Sequence, residues 1–174
     1  LETSQTDRII YLWEEVTEVS CLKIIKKIRK YRRSGDLPIY LFINSDGGCL
    51  DSAMAVIDEF ESCKNGGIEI CTVVQGCARS AAANILLAGT KGKRFITPNS
   101  YVMLHFTSYS LDDDDYDKQI KAVKFMSKHE NKQLEMLAKL CGKQLKTFKR
   151  SIQNGLWLDA DSAVEFGVVD AVWR

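Results

Sequence analysis

Net charge is nearly absent from this sequence: 24 Lys and Arg stand against 23 Asp and Glu, a formal +1. So balanced a chain sets up no global field that would recruit nucleic acid or an anionic membrane. No uninterrupted apolar run approaches the roughly 18 residues of a spanning helix, so membrane insertion is not expected. The first twenty residues include Glu2, Asp7, Arg8, Glu14 and Glu15 and do not read as a signal peptide. Cys21, Cys49, Cys63, Cys71, Cys77 and Cys141 form no C-x-x-C pair and match no zinc ligand spacing. Most lie in apolar segments, where a reduced cysteine behaves as a small hydrophobe. The expectation is therefore no metal, no cofactor and a reducing compartment, cytoplasmic or an organelle stroma or matrix. Internal repeats and low-complexity linkers are lacking too, which leaves a single domain over residues 1–174.

What is present is an alternation of strands and helices. A short apolar run at 8–13 reads as a first strand, and a helix follows over 16–33 with Val19, Leu22, Ile25 and Ile28 as its buried stripe. The opposite side of that helix carries seven Lys and Arg, from Lys23 to Arg33, and reads as a solvated face. Ile39-Tyr40-Leu41-Phe42-Ile43 is continuously apolar, the pattern of a strand covered on both faces of a parallel sheet. Ala53, Ile57 and Phe60 line a second helix, 68–74 is another buried strand, and 76–89 reads as a buried helix of small and aliphatic residues. Short strands at 94–97 and 101–105 follow, then a long helix over 116–140 preceded by four aspartates, Asp112 to Asp115. At 1.5 Å per residue that helix would run about 37 Å, enough to project toward a partner subunit. The aspartates lack the glycine and distal glutamate of a calcium loop and read as solvated residues at the helix's positive end. The fold class is α/β with parallel pairing.

Three segments carry candidate chemistry. Gly47-Gly48 follows a buried strand, and glycine there lets backbone N–H groups approach a ligand. Gly76-Cys77-Ala78-Arg79-Ser80-Ala81-Ala82 puts Ser80 at the start of an apolar helix, where a hydroxyl serves either as an N-cap or as a nucleophile. His105 ends a strand and His129 sits in a polar stretch of the long helix; these are the two histidines of the chain. If Ser80 needs an imidazole base, His105 is the candidate.

In these blocks the chain resembles the ClpP family, the proteolytic subunits of caseinolytic protease. Residues 40–48 are similar to its Y-I-N-S-P-G-G element, 76–89 to its nucleophile helix, 92–105 to its G-K-R…P-N…M-(I/L)-H block and 163–170 to its E-A-x-(E/D)-Y-G-(L/I)-(V/I)-D. The resemblance implies a crotonase-like spiral of βαβ units, with 116–140 as the handle that joins stacked heptameric rings. It implies Ser80 as nucleophile, His105 as general base and then acid, and the N–H groups of Gly48 and Ala81 as oxyanion hole. Unfolded polypeptides would be the substrates and a Clp-type ATPase unfoldase a partner.

Several positions depart from the family pattern. The family's triad aspartate falls at Gly155, and a one-residue offset points to Asn154; neither is a carboxylate, while Asp159 reads as a helix cap. Asp46 stands where the family has proline, and residues 106–110 lack the family's Pro- and Gly-containing stretch. The alternatives are a catalytically impaired structural or regulatory ring subunit, which the missing aspartate favours, and an acyl-CoA enzyme sharing the spiral core.

Overall fold

The computed structural model describes residues 8–108 and 115–174. Its strands are β1 (Ile9–Leu12), β2 (Ile39–Ser45), β3 (Ile70–Arg79), β4 (Arg94–Ile96), β5 (Tyr101–Leu104), β6 (Leu156–Asp159) and β7 (Ala171–Val172). The helices are α1 (Glu18–Arg33), α2 (Leu50–Asn65), α3 (Ala81–Leu87), α4 (Tyr116–Leu140), α5 (Leu145–Ile152) and α6 (Ala160–Phe166). They build a mixed α/β fold around one sheet of order β1-β2-β3-β4-β7, with β5 paired to β3 and β6 to β5. Every pairing is parallel except β5–β6.

β3 organises the site. Its first half pairs with β4 (Thr72–Val74 against Arg94–Ile96), and its second half pairs with β5 (Cys77–Arg79 against Tyr101–Met103). The helix expected over 76–89 is therefore only partly helical: residues 76–79 complete the strand, and α3 starts at Ala81. Strand pairing on both sides, to Ser45 of β2 as well as to β5, outweighs the helical leaning of that small-residue run.

Burial corrects two further expectations. In β2 buried and half-buried positions alternate, so Tyr40 and Phe42 are not covered like Ile39, Leu41 and Ile43. Their face carries an aromatic cluster in which Tyr11 and Trp173 pack on Phe42, and Tyr11 and Trp13 remain half exposed. In α1 the buried side is Cys21, Ile24 and Ile28, whereas Val19 is 63% and Leu22 is 47% exposed. A strict three-residue spacing loses about 60° per step on a 3.6-residue helix, so Val19 and Ile28 cannot share a face. Each Ile or Leu buried under the sheet contributes on the order of 1.5–3 kcal/mol. On the outer side of α1, Arg29 and Arg32 hold the buried Glu59 of α2 at 2.9 and 3.0 Å, so that face is not simply solvated.

α4 has the expected bounds, and its N-cap Asp115 accepts from the backbone N–H groups of Asp117 and Lys118. Asp112 to Asp114 lie outside the described residues, as do Tyr109 and Ser110. Only the second half of α4 is anchored, through Gln133, Leu134, Leu137 and Ala138. Phe125 is 63% exposed in the first half, beside the exposed ring of His129.

A buried ion pair unites distant parts of the chain. Arg94, 1% exposed at its side chain, donates from Nε and Nη2 to the Asp170 carboxylate at 2.9 and 2.6 Å and from Nη1 to the Leu140 carbonyl. The Gly92 and Arg94 backbone N–H groups add two more bonds to Asp170.

Candidate active site

Ser80 occupies the corner between β3 and α3. Its φ of 52° and ψ of −122° make it the one non-glycine residue with positive φ among the described residues. Such a conformation costs about 1–3 kcal/mol and persists only where its surroundings impose it. Here the Ser80 N–H donates to the Met103 carbonyl at 2.9 Å, and the Ser80 carbonyl accepts from Ala83 N–H at 3.0 Å. Although Ser80 stands at the N-cap position, its side chain caps nothing. The hydroxyl instead lies 2.8 Å from His105 Nε2.

Strand register explains why two residues 25 apart meet. Arg79 pairs with Met103 across β3 and β5, so the next residues of each strand bring Ser80 and His105 to one end of the ladder. The segment after His105 is held by the Glu130 carboxylate of α4, which accepts from Thr107 N–H at 2.9 Å.

Gly47 and Gly48 complete the wall. Gly47 has φ 98°, and a Cβ there would sit 2.6 Å from the Arg79 carbonyl oxygen and 2.8 Å from Ser80 Cβ, so only glycine fits. Gly48 forms an isolated parallel bridge with Val16, built from Val16 N–H to Gly47 O and Cys49 N–H to Val16 O, both 2.7 Å. In that pattern Gly48's own N–H points away from Val16. Gly48, Ser80, Ala81 and His105 line one cleft of about 210 Å³. Asp46, which stands where the family pattern has proline, pairs with Arg79 at 2.8 Å and ties the glycine turn to the residue before Ser80. Arg79 in turn lies over the Trp157 ring at 5.3 Å.

Among the described residues no carboxylate completes a third position. His105 Nδ1 has no hydrogen-bond partner among the described residues. β5 and β6 pair Leu104 with Leu156, so continuing the antiparallel register sets His105 beside Gly155. Asn154 is exposed, and no hydrogen bond joins it to His105. Asp159 pairs with Tyr101 at the far end of the ladder and caps α6, accepting from Ser162 N–H at 2.9 Å. That hydrogen bonding with Ser162 keeps its carboxyl below the usual range.

Two carboxamides that the sequence reading passed over also face the cleft: Asn84, one helical turn after Ser80, and Gln133 of α4. The available signal was a polar residue beside the apolar stripe Leu134, Leu137, Ala138.

A family model described as Clp protease matches residues 2–174. The ATP-dependent Clp protease proteolytic subunit 1 of Streptomyces coelicolor is 31% identical over 167 residues, which span 95% of this chain and 74% of that protein. The ATP-dependent Clp protease proteolytic subunit 3 of Streptomyces avermitilis is 32% identical, with the same shares covered.

Proposed function

The chain belongs to the Clp protease family, and from that premise we propose that it is a ClpP-type serine endopeptidase acting through Ser80 and His105. The observation that carries this reading is the 2.8 Å contact between a serine hydroxyl that caps no helix and an imidazole nitrogen. Ser80 Oγ attacks the scissile carbonyl carbon while His105 Nε2 takes its proton, then passes that proton to the leaving amine nitrogen. Water enters next: His105 removes its proton, the hydroxide attacks the acyl-enzyme, and Ser80 leaves with the proton returned. Gly48 and Ala81 N–H groups meet the oxyanion, each donor of this kind being worth about 2.7–4 kcal/mol.

The assembly we propose is a ring of identical subunits, heptameric or a double heptamer, enclosing the sites and cleaving unfolded polypeptides delivered by a Clp-type ATPase. The exposed apolar residues of the first half of α4, Tyr116, Val123 and Phe125, suit a handle that packs against another subunit. Residues 1–174 would act as one peptidase domain; a single hydrophobic cluster drawing on β1 through α6 supports that. No helix among the described residues is long and apolar enough to cross a membrane. Four of the six cysteines are buried and all six are free, which fits a reducing compartment such as the cytoplasm.

A second reading, a ring subunit that serves assembly without catalysis, is favoured by one observation: position 155, beside His105, offers no carboxylate. A fluorophosphonate probe with the adduct located by mass spectrometry separates the two. Labelling at Ser80 that disappears in His105→Ala, with Ser80→Ala as blank, is the expected result. A confirmed oligomer that resists labelling would overturn the peptidase reading in favour of the structural subunit.

A further inference from the structure

The cleft beside Ser80 is polar in an unusual place. A peptide whose carbonyl sits between Ser80 Oγ and the N–H groups of Gly48 and Ala81 places the side chain of that same residue within a few bonds of Ser80, against the cleft wall. At about 210 Å³ the cleft is smaller than the roughly 300–1,000 Å³ of whole small-molecule sites and has the scale of one amino-acid side chain. Its wall carries the polar residues Asn84, Thr107, Ser108 and Gln133 beside the apolar Leu50 and Ala81.

Two of these groups are left wanting partners. Gln133 is 8% exposed, and its Oε1 is buried without a hydrogen bond. Asn84 is 6% exposed; its carboxamide makes no hydrogen bond among the described residues but, unlike Gln133 Oε1, it is not sealed from the cleft. Buried amide groups are normally satisfied, and an unsatisfied one that faces a substrate cleft is a recognition element awaiting its complement. An aliphatic side chain in this cleft would desolvate the Asn84 amide and pair neither group. A side chain with both a donor and an acceptor would satisfy both.

We propose that this cleft is a specificity pocket for a carboxamide side chain, so that the enzyme cleaves after glutamine or asparagine in preference to large aliphatic residues. The proposal rests on Ser80 being the nucleophile and adds the identity of the residue that donates the acyl group. Gln133 and Asn84 are its specificity-determining residues: a turn of the Gln133 carboxamide brings its sealed Oε1 to accept from the substrate amide N–H, and the Asn84 carboxamide meets the substrate's remaining polar atom.

The test uses the full chain in its assembled form with two peptidyl phosphonate esters that phosphonylate an activated serine. One carries a glutamine-like and the other a leucine-like side chain next to phosphorus, and a plain alkyl fluorophosphonate reports Ser80 reactivity alone. The glutamine-like ester should label Ser80 about tenfold to a hundredfold faster than the leucine-like one, the range expected when one or two buried polar groups are paired rather than stranded. In Gln133→Met, which keeps the shape and removes the acceptor, that ratio should fall at least fivefold; Asn84→Ala provides an independent second variant. Because both rates come from the same preparation, the ratio is insensitive to a partly unfolded fraction. Equal rates, or a faster leucine-like ester, in a protein that the plain probe labels would overturn the pocket and leave the nucleophile standing. Silence of all three reagents would overturn the nucleophile and the pocket with it.

Discussion

Replacing Gly155 by aspartate should speed acylation of Ser80. Continuing the β5–β6 register puts position 155 beside His105, whose Nδ1 has no partner among the described residues. A Cβ on Gly155 would meet Trp157 Nε1 at 3.6 Å, ordinary van der Waals contact, so there is room for the side chain. The obstacle is the backbone, which has φ 79° at this residue. An L-residue there costs about 1–2 kcal/mol, with Asp at the low end because its short polar side chain tolerates the left-handed region. Loss of the aspartate from a Ser-His-Asp triad lowers turnover about 10⁴-fold, or about 5.5 kcal/mol at 1.36 kcal/mol per decade. A carboxylate introduced into a loop that did not evolve around it should recover part of this, about ten- to a hundredfold. The physical source is the charge on the imidazolium that forms as Ser80 attacks, together with selection of the Nδ1–H tautomer. Gly155→Asn separates the two effects: it can orient the ring but not neutralise it, so its gain should be distinctly smaller. The assay is the rate of Ser80 phosphonylation and of fluorogenic peptide hydrolysis, run beside thermal unfolding. A Gly155→Asp protein that unfolds within a few degrees of the parent yet reacts no faster would refute the placement of residue 155 against His105.

Two perturbations test the scaffold. Burial pushes the Asp170 carboxyl up, but hydrogen bonds and charge from Arg94 outweigh it and hold the pKa at about 2 against a reference of 3.8. A depressed carboxyl contributes stability that is present above its unfolded pKa and is lost as pH falls toward the folded one, here about 2.5 kcal/mol between about pH 4 and 2. Asp170→Asn strands a buried guanidinium and should cost about 3–5 kcal/mol at pH 7 by urea unfolding; the gap to the parent should narrow below pH 4, and a gap independent of pH would refute the linkage. Gly47→Ala forces a Cβ to within 2.6 Å of the Arg79 carbonyl and 2.8 Å of Ser80 Cβ. It should destabilise the fold by about 2–4 kcal/mol and lower Ser80 labelling more than a hundredfold, and retained labelling would show that the Ser80 corner does not depend on this turn.

Local pattern carried the long helix to its observed ends at Tyr116 and Leu140 and identified Asp159 as a cap, because propensity and capping act over a few neighbouring residues. It also singled out Ser80, His105 and the Gly47-Gly48 turn, and four ordered motif blocks pointed to the family. It misassigned the buried stripe of α1, where spacing in the sequence stood in for geometry around the helix, and it read residues 76–79 as helix, because the pairing that holds them in a strand comes from β2 and β5.

The sequence by itself determined the class of fold, the family and the residue types available for catalysis, since those reside in local composition and order. Only the tertiary structure decided that the Ser80 hydroxyl turns to His105 instead of capping α3, that Arg94 closes on Asp170 from 76 residues away, and that Asn84 and Gln133 line one cleft. Each of these depends on strand register and helix placement. A one-residue slip in strand pairing would turn Ser80, His105 and Arg94 to other faces, and no local segment encodes that register alone.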